Sequence, residues 1–183
     1  MSREIRIGLL TWAVLLVAVV GCTFVSSGQT HDRSETDLSA AIEAPTELPS
    51  GETLPVRFTL TNNADTGLYV LKWYTPLEGI AGEIFRVERN GEAVPYEGIL
   101  ATRAAPSPDD YVLLEPGASA YVEVDLATAY DFSQPGTYTI EFLSPRISHV
   151  AGTQGEMAAS LDELGPVDMP ANTIRVERVG TGA

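Results

Sequence analysis

The feature that most limits what this chain can fold into is a run of short segments that alternate apolar with polar residues and stop at turn residues. Val56-Arg57-Phe58-Thr59-Leu60-Thr61 alternates cleanly and ends at Asn62-Asn63-Ala64-Asp65-Thr66-Gly67. Successive side chains of a strand point to opposite faces, so this pattern predicts strands buried on one side. Residues 68–74 read as the next strand. Ile84-Phe85-Arg86-Val87-Glu88-Arg89 alternates again, and Asn90-Gly91 then supplies the strongest short hairpin signal before Glu92-Ala93-Val94. Residues 111–114, 120–126, 137–142 and 174–179 complete the set, with Pro116-Gly117 and Pro135-Gly136 as punctuation. Only residues 156–164 (EMAASLDEL) have helical composition, and they lie in a connecting segment. Many short strands without βαβ spacing predict an all-β fold, an immunoglobulin-like antiparallel β-sandwich with one short helical segment in a late loop. There is no cysteine pair to pin it and no internal repeat.

The N-terminus obeys a different grammar. Arg3 and Arg6 flank a short basic start, and residues 7–20 carry no charge. As a helix that run would cover about 21 Å, short of the roughly 30 Å hydrocarbon core, so an export signal fits better than a spanning helix. Val19-Val20-Gly21-Cys22 follows and resembles a bacterial lipobox. A small residue before the cut and a thiol to carry diacylglycerol are what that processing chemistry needs. The expectation is cleavage between Gly21 and Cys22, with Cys22 acylated and anchored in a lipid bilayer; an uncleaved anchor and ordinary secretion are the alternatives. The chain has 1 Cys, and lipidation accounts for both its solitude and its position. Thr23 follows the Cys where an Asp is absent, so a Gram-negative cell would send the protein to its outer membrane. The domain plan is a signal peptide over 1–21, an acylated Cys and flexible tether over 22–36, and a β-sandwich domain over 37–183. A domain of that size buries roughly two-thirds of its unfolded surface, so neither a disulfide nor a metal is needed to hold it.

Charge excludes some partners. The formal net charge is -14, which argues against nucleic acid, whose binding rests on Lys and Arg neutralising phosphates.

In order along the chain come Leu71-Lys72-Trp73-Tyr74-Thr75-Pro76, Arg103-Ala104-Ala105-Pro106, Leu114-Glu115-Pro116-Gly117, Val124-Asp125-Leu126, Tyr130-Asp131-Phe132 and Pro135-Gly136-Thr137-Tyr138. This series resembles the β-sandwich domain ahead of the catalytic domain in bacterial deuterolysin-like, peptidyl-Lys zinc metallopeptidases, over about residues 38–179. Those enzymes continue into a domain with an HExxH helix that binds zinc. Here the histidines are His31 and His149, so no catalytic residue carries over. The resemblance implies a stand-alone relative of the non-catalytic domain.

A search for other chemistry yields no catalytic, metal-binding or cofactor-binding residue. Zinc needs three or four His, Cys or carboxylate ligands, and His149 reads as a partly exposed loop residue. Asn63-Ala64-Asp65-Thr66-Gly67 lacks the closing Glu of a calcium loop and reads as a turn. Asp109-Asp110, beside Pro106 and Pro108, reads as a solvated loop. Trp73 reads as core. The remaining surface is Tyr74 with the loop 75–82 (TPLEGIAG), whose Leu77 and Ile80 look exposed and make Tyr74, Leu77 and Ile80 the expected contact for a protein partner. The expected role is a membrane-anchored, non-catalytic binding lipoprotein of the cell envelope that engages or inhibits a metallopeptidase, with a purely structural envelope role as the alternative.

Overall fold

Strand β3, Pro55–Asn62, shows why these residues pair as they do: Val56, Phe58 and Leu60 are fully buried while Arg57 between them faces water. It sits between β1, Leu38–Glu43, and β8, Ser119–Asp125, in an antiparallel three-stranded sheet. The computed structural model describes residues 37–180 apart from Ser50 and Glu52. The signal peptide, Gly21, Cys22 and the tether of the sequence reading lie outside the described residues.

A second sheet has five strands in the order β2-β11-β9-β5-β6, formed by β2 (Glu47–Leu48), β11 (Thr173–Arg178), β9 (Gly136–Phe142), β5 (Phe85–Arg89) and β6 (Glu92–Ala93). Every pairing in it is antiparallel except β2 with β11. Its inward residues Tyr138, Ile140, Phe142, Phe85 and Val87 meet those of β3 in one continuous core. The Phe58 and Phe142 rings lie 4.9 Å apart and join the two sheets, within the range where tilted aromatic pairs attract. A third, smaller sheet runs β10-β4-β7, from β10 (Val150–Ala151), β4 (Leu68–Leu71) and β7 (Tyr111–Leu114).

Apart from the one at residue 68, the expected strands sit within one residue of their bounds, β1, β2 and β10 come in addition to them, and Asn90-Gly91 forms the expected hairpin. Both turn residues have positive φ, 52° and 85°, and Arg89 pairs with Glu92 across them, the geometry whose twist matches flanking strands. Two expectations need correction. The strand at residue 68 stops at Leu71, because Lys72 accepts a hydrogen bond from the Thr75 N–H at 3.1 Å and closes a turn. The helix expected at 156–164 is two 3₁₀ turns, Gln154–Glu156 and Leu161–Glu163. Glu156 accepts from the Gly152 and Thr153 amides, and Glu163 from the Ala159 amide, so each carboxylate folds back to cap a single turn.

Buried tyrosines lock the sandwich. Tyr138 donates its hydroxyl to Gln134 O at 2.8 Å, four positions upstream, the corner bond found in many immunoglobulin-like sandwiches. Tyr130 donates to Phe85 O at 2.5 Å. Burial pushes the Tyr130 hydroxyl far above the usual tyrosine range, and it raises Tyr138 and Tyr111 as well. A raised folded-state value means the neutral form is favoured on folding; the stability it contributes is complete below the ordinary value near 10 and is lost as pH rises. Thermal midpoints measured from pH 8 to 11.5 should therefore fall above pH about 10, and Tyr130→Phe should flatten that fall. An unchanged slope in the variant would contradict it.

Candidate functional site

Beyond β4 the chain makes a tight turn that carries the motif Leu71-Lys72-Trp73-Tyr74. Trp73 is buried and packs with Leu71 and Tyr111 in a second apolar cluster, as the sequence suggested for it. Its indole and Ser107 hydrogen-bond the Asp110 carboxylate. Burial would raise the Asp110 carboxyl, but the Ser107 and Trp73 bonds and the Lys72 charge outweigh it and hold the group below the usual range. Asp110 is thus half-buried and engaged in capping the turn Pro108–Asp110, not the solvated loop residue that its sequence neighbours implied. Asp109 is exposed, and its carbonyl accepts from Lys72 Nζ at 2.8 Å. Tyr74 has φ of 57°, a left-handed conformation that is uncommon for a bulky residue and must be held by its surroundings.

Two groups hold it. Glu78 Oε1 accepts from the Tyr74 amide at 2.8 Å and from Arg103 Nη2 at 2.5 Å. The Arg103 guanidinium lies 5.1 Å from the Trp73 ring centre and 5.9 Å from that of Tyr74, within cation–π range. Two of the motifs quoted from the sequence, one containing Trp73-Tyr74 and one beginning at Arg103, are therefore a single latch. Desolvation dominates at Glu78 and raises its carboxyl despite the Tyr74 amide and Arg103.

The latch decides the fate of the loop 75–82. Thr75 is fully buried and caps the 3₁₀ turn Pro76–Glu78, which lies against β8. Leu77 and Ile80 are half-buried and rest on the main core. This corrects the expectation that they are exposed: the turn folds its apolar side chains over a sheet edge, a common way to cover one.

Exposed apolar surface lies next door. A groove of about 440 Å³ runs between the 99–101 and 143–147 segments, with Tyr74 and Ile84 in its wall and Leu100 and Ile147 at its rims. Leu100 is 78% exposed and Ile147 48%, so these are the free apolar side chains that Leu77 and Ile80 are not. Of the three residues named from sequence, Tyr74 lines this groove and the other two do not. Leu100 and Ile147 went unnoticed because neither belongs to an alternating segment; the signal was the apolar pair Ile99-Leu100 stranded between Gly98 and Arg103.

The remaining sequence candidates are structural. Asn62, fully buried, donates to Thr66 O and Leu114 O and accepts from the Ala64 amide, so it closes the turn that followed β3. His149 is half-buried, with Nδ1 3.2 Å from the Tyr111 hydroxyl. Among the described residues no three His, Cys, Asp or Glu side chains come together as a metal site. No described helix is long and apolar enough to cross a membrane.

No family model matches the chain. It is 36% identical over 143 residues to an extracellular protease of Aeromonas hydrophila, covering 77% of this chain and 41% of that protein. Neutral protease 2 homologues from Coccidioides posadasii and Uncinocarpus reesii match at 33% over 87 residues and 34% over 102 residues, 24% and 28% of their lengths. The chain thus spans less than half the length of each of these relatives. Among solved structures, a CARDB domain from Pyrococcus furiosus aligns at 15% identity with a TM-score of 0.33, over 78% of this chain and 94% of that one; a superposition that loose carries no argument. The sequence matches suffice for the assignment: the chain is a relative, over part of their length, of the deuterolysin-like extracellular and neutral proteases.

Proposed function

We propose that the chain is a membrane-anchored, non-catalytic module of the cell envelope that binds a deuterolysin-like metallopeptidase. The observation that carries this reading is the 36% identity to a portion of such a protease, in a sequence whose histidines, His31 and His149, provide no HExxH pair. A domain that packs beside a peptidase within one protein has a complementary face, and the same face can serve between molecules. Binding between separate molecules would lack the high effective concentration of a covalent link, so affinity in the micromolar range is the expectation. The charge of -14 suits a basic partner and would act mainly on the association rate. The reading also draws on the lipobox-like Val19-Val20-Gly21-Cys22, which would tether the module at a membrane, the outer one in a Gram-negative cell.

The test is calorimetry of the protein against a deuterolysin-like zinc peptidase from the same cell, with peptidase activity followed in parallel. Saturable heat with a dissociation constant near 1–10 μM is expected. Inhibition in the same titration would make the module a restraint on the enzyme; heat without inhibition would make it a docking subunit. No heat and no inhibition at about 100 μM would overturn the reading and leave a structural envelope role.

A further inference from the structure

We propose that the groove between Leu100 and Ile147 binds an extended peptide segment of a protein partner, one that presents an apolar side chain next to a single carboxylate. This deepens the reading above by naming the surface and the chemistry it selects, and it rests on that reading.

Both walls are fixed before any partner arrives. On one side Ala101 N donates to Ala81 O at 2.9 Å, the Tyr96 hydroxyl donates to Ile99 O at 2.5 Å, and Arg103 clamps the end of the segment to Glu78. On the other side Ser144 Oγ bridges the Met169 amide and carbonyl at 3.1 and 3.2 Å, while Ser148 and Gly165 exchange backbone bonds at 2.8 and 3.0 Å. Leu100 nonetheless keeps 78% of its surface in water and Ile147 48%. Exposed Leu and Ile on hydrogen-bonded, preformed walls cost little ordering entropy when they are covered, the condition under which apolar burial turns into affinity. The volume, about 440 Å³, is in the range of sites that take one or two large side chains.

Charge selects the occupant. Of the groove's charged residues, Arg86 is paired to Glu141 at 2.8 Å, and Glu83 is exposed in the wall, with its charge beside Tyr96 and Tyr130. Arg146 is exposed and forms no ion pair among the described residues. One unpaired guanidinium at the rim of an apolar groove matches one carboxylate, which it can hold in a two-pronged bond. Glu83 in the groove wall and the net charge of -14 would repel further acidic residues on the ligand, so its flanks should be neutral or basic. The same charge disfavours an anionic lipid surface as the occupant.

The experiment uses the full chain in phosphatidylcholine nanodiscs, panned against a phage-displayed library of random dodecapeptides with empty nanodiscs as the counter-selection. Enriched peptides should place Asp or Glu beside Leu, Ile, Phe or Met. Synthetic versions should bind Leu100→Ser and Ile147→Ser at least about tenfold more weakly than wild type, at an unchanged thermal midpoint because both side chains are exposed. Arg146→Glu should turn the selected residue from acidic to Lys or Arg. Peptides that bind all three variants as they bind wild type, or no enrichment over empty nanodiscs, would overturn the groove. The two proposals fail separately: a peptidase that binds Leu100→Ser and Ile147→Ser unchanged sinks the groove alone, and groove-dependent peptides without peptidase binding sink the peptidase alone.

Discussion

Replacing Arg103 by Ala is expected to lower the unfolding free energy by about 2–3 kcal/mol at pH 7, somewhat less than the roughly 3–5 kcal/mol that breaking a fully buried pair costs. The Arg103 and Glu78 side chains keep 20% and 13% of their surface exposed, so solvent still screens them in part and the full cost of an orphaned buried charge does not apply. Three losses act together. The cation leaves the faces of Trp73 and Tyr74, its hydrophobic stem no longer covers them, and the Glu78 carboxylate stays in place to serve the Tyr74 amide without its counter-charge. The pair itself is not ideal, because Arg103 Nε is buried without a hydrogen-bond partner. A matched apolar replacement of both residues, Arg103→Met with Glu78→Leu, should therefore cost less than Arg103→Ala alone. The pH dependence identifies the cause. Burial already raises the Glu78 carboxyl, and loss of Arg103 raises it further. A raised carboxyl gives stability that is present at acid pH and lost as pH rises through its folded value. The deficit of Arg103→Ala should accordingly shrink between pH 7 and pH about 4.5, and adding Glu78→Gln should abolish that dependence. Urea unfolding of the wild type and the three variants at both pH values would measure it; a deficit independent of pH would mean that lost packing, not the stranded carboxylate, is responsible.

That latch also marks where sequence reading stops. Strands such as β3, β5, β9 and β11 were legible because each alternation carries its own face, and Asn90-Gly91 fixes its hairpin locally. β1 carries the same pattern, Leu38, Ala40 and Ile42 inward, but Ser and Ala are weak strand formers and its register comes from β3. Its free edge is covered by Asn172, whose side-chain amide pairs with both the N–H and the carbonyl of Ile42, a contact 130 positions apart that no local pattern announces. Residues 72–74 read as strand because Trp and Tyr favour strands; they turn because Glu78, Asp110 and Arg103 capture them. Two of these partners come from distant loops. Leu77 and Ile80 were misjudged for a related reason: small and turn residues around an apolar side chain suggest exposure, whereas here the turn is folded down onto the core. Tyr74, named from the sequence with the loop 75–82, lines the groove as well as the latch. Leu100 and Ile147 were not named, since a groove formed by two loops has no period in either.

Changing Cys22→Ala should move the protein from the membrane fraction and stop its processing, the largest change expected of any single substitution here. The reasoning is chemical. On the proposed lipoprotein reading, residues 7–20 are too short an apolar run to span, so a firm hold on the bilayer would have to come from acyl chains on Cys22. Each buried methylene contributes about 0.8 kcal/mol, yet one chain alone binds only marginally; two or more make the attachment effectively permanent on the timescale of fractionation. On that reading all of it would pass through one thiol, since the chain has 1 Cys and a Ser or Ala cannot carry a thioether. Loss of the thiol would also remove the modified residue that a lipoprotein peptidase requires, so Gly21–Cys22 cleavage should fail and a full-length precursor should accumulate. A second variant separates anchoring from export. Gly21→Leu keeps the thiol but fills the small position before the cut, so it should be acylated and membrane-bound yet uncleaved. Radiolabelled palmitate incorporation, intact mass and carbonate extraction of membranes would follow all three species. A Cys22→Ala protein that is cleaved normally and fractionates as wild type does would end the lipoprotein reading and return the N-terminus to ordinary secretion.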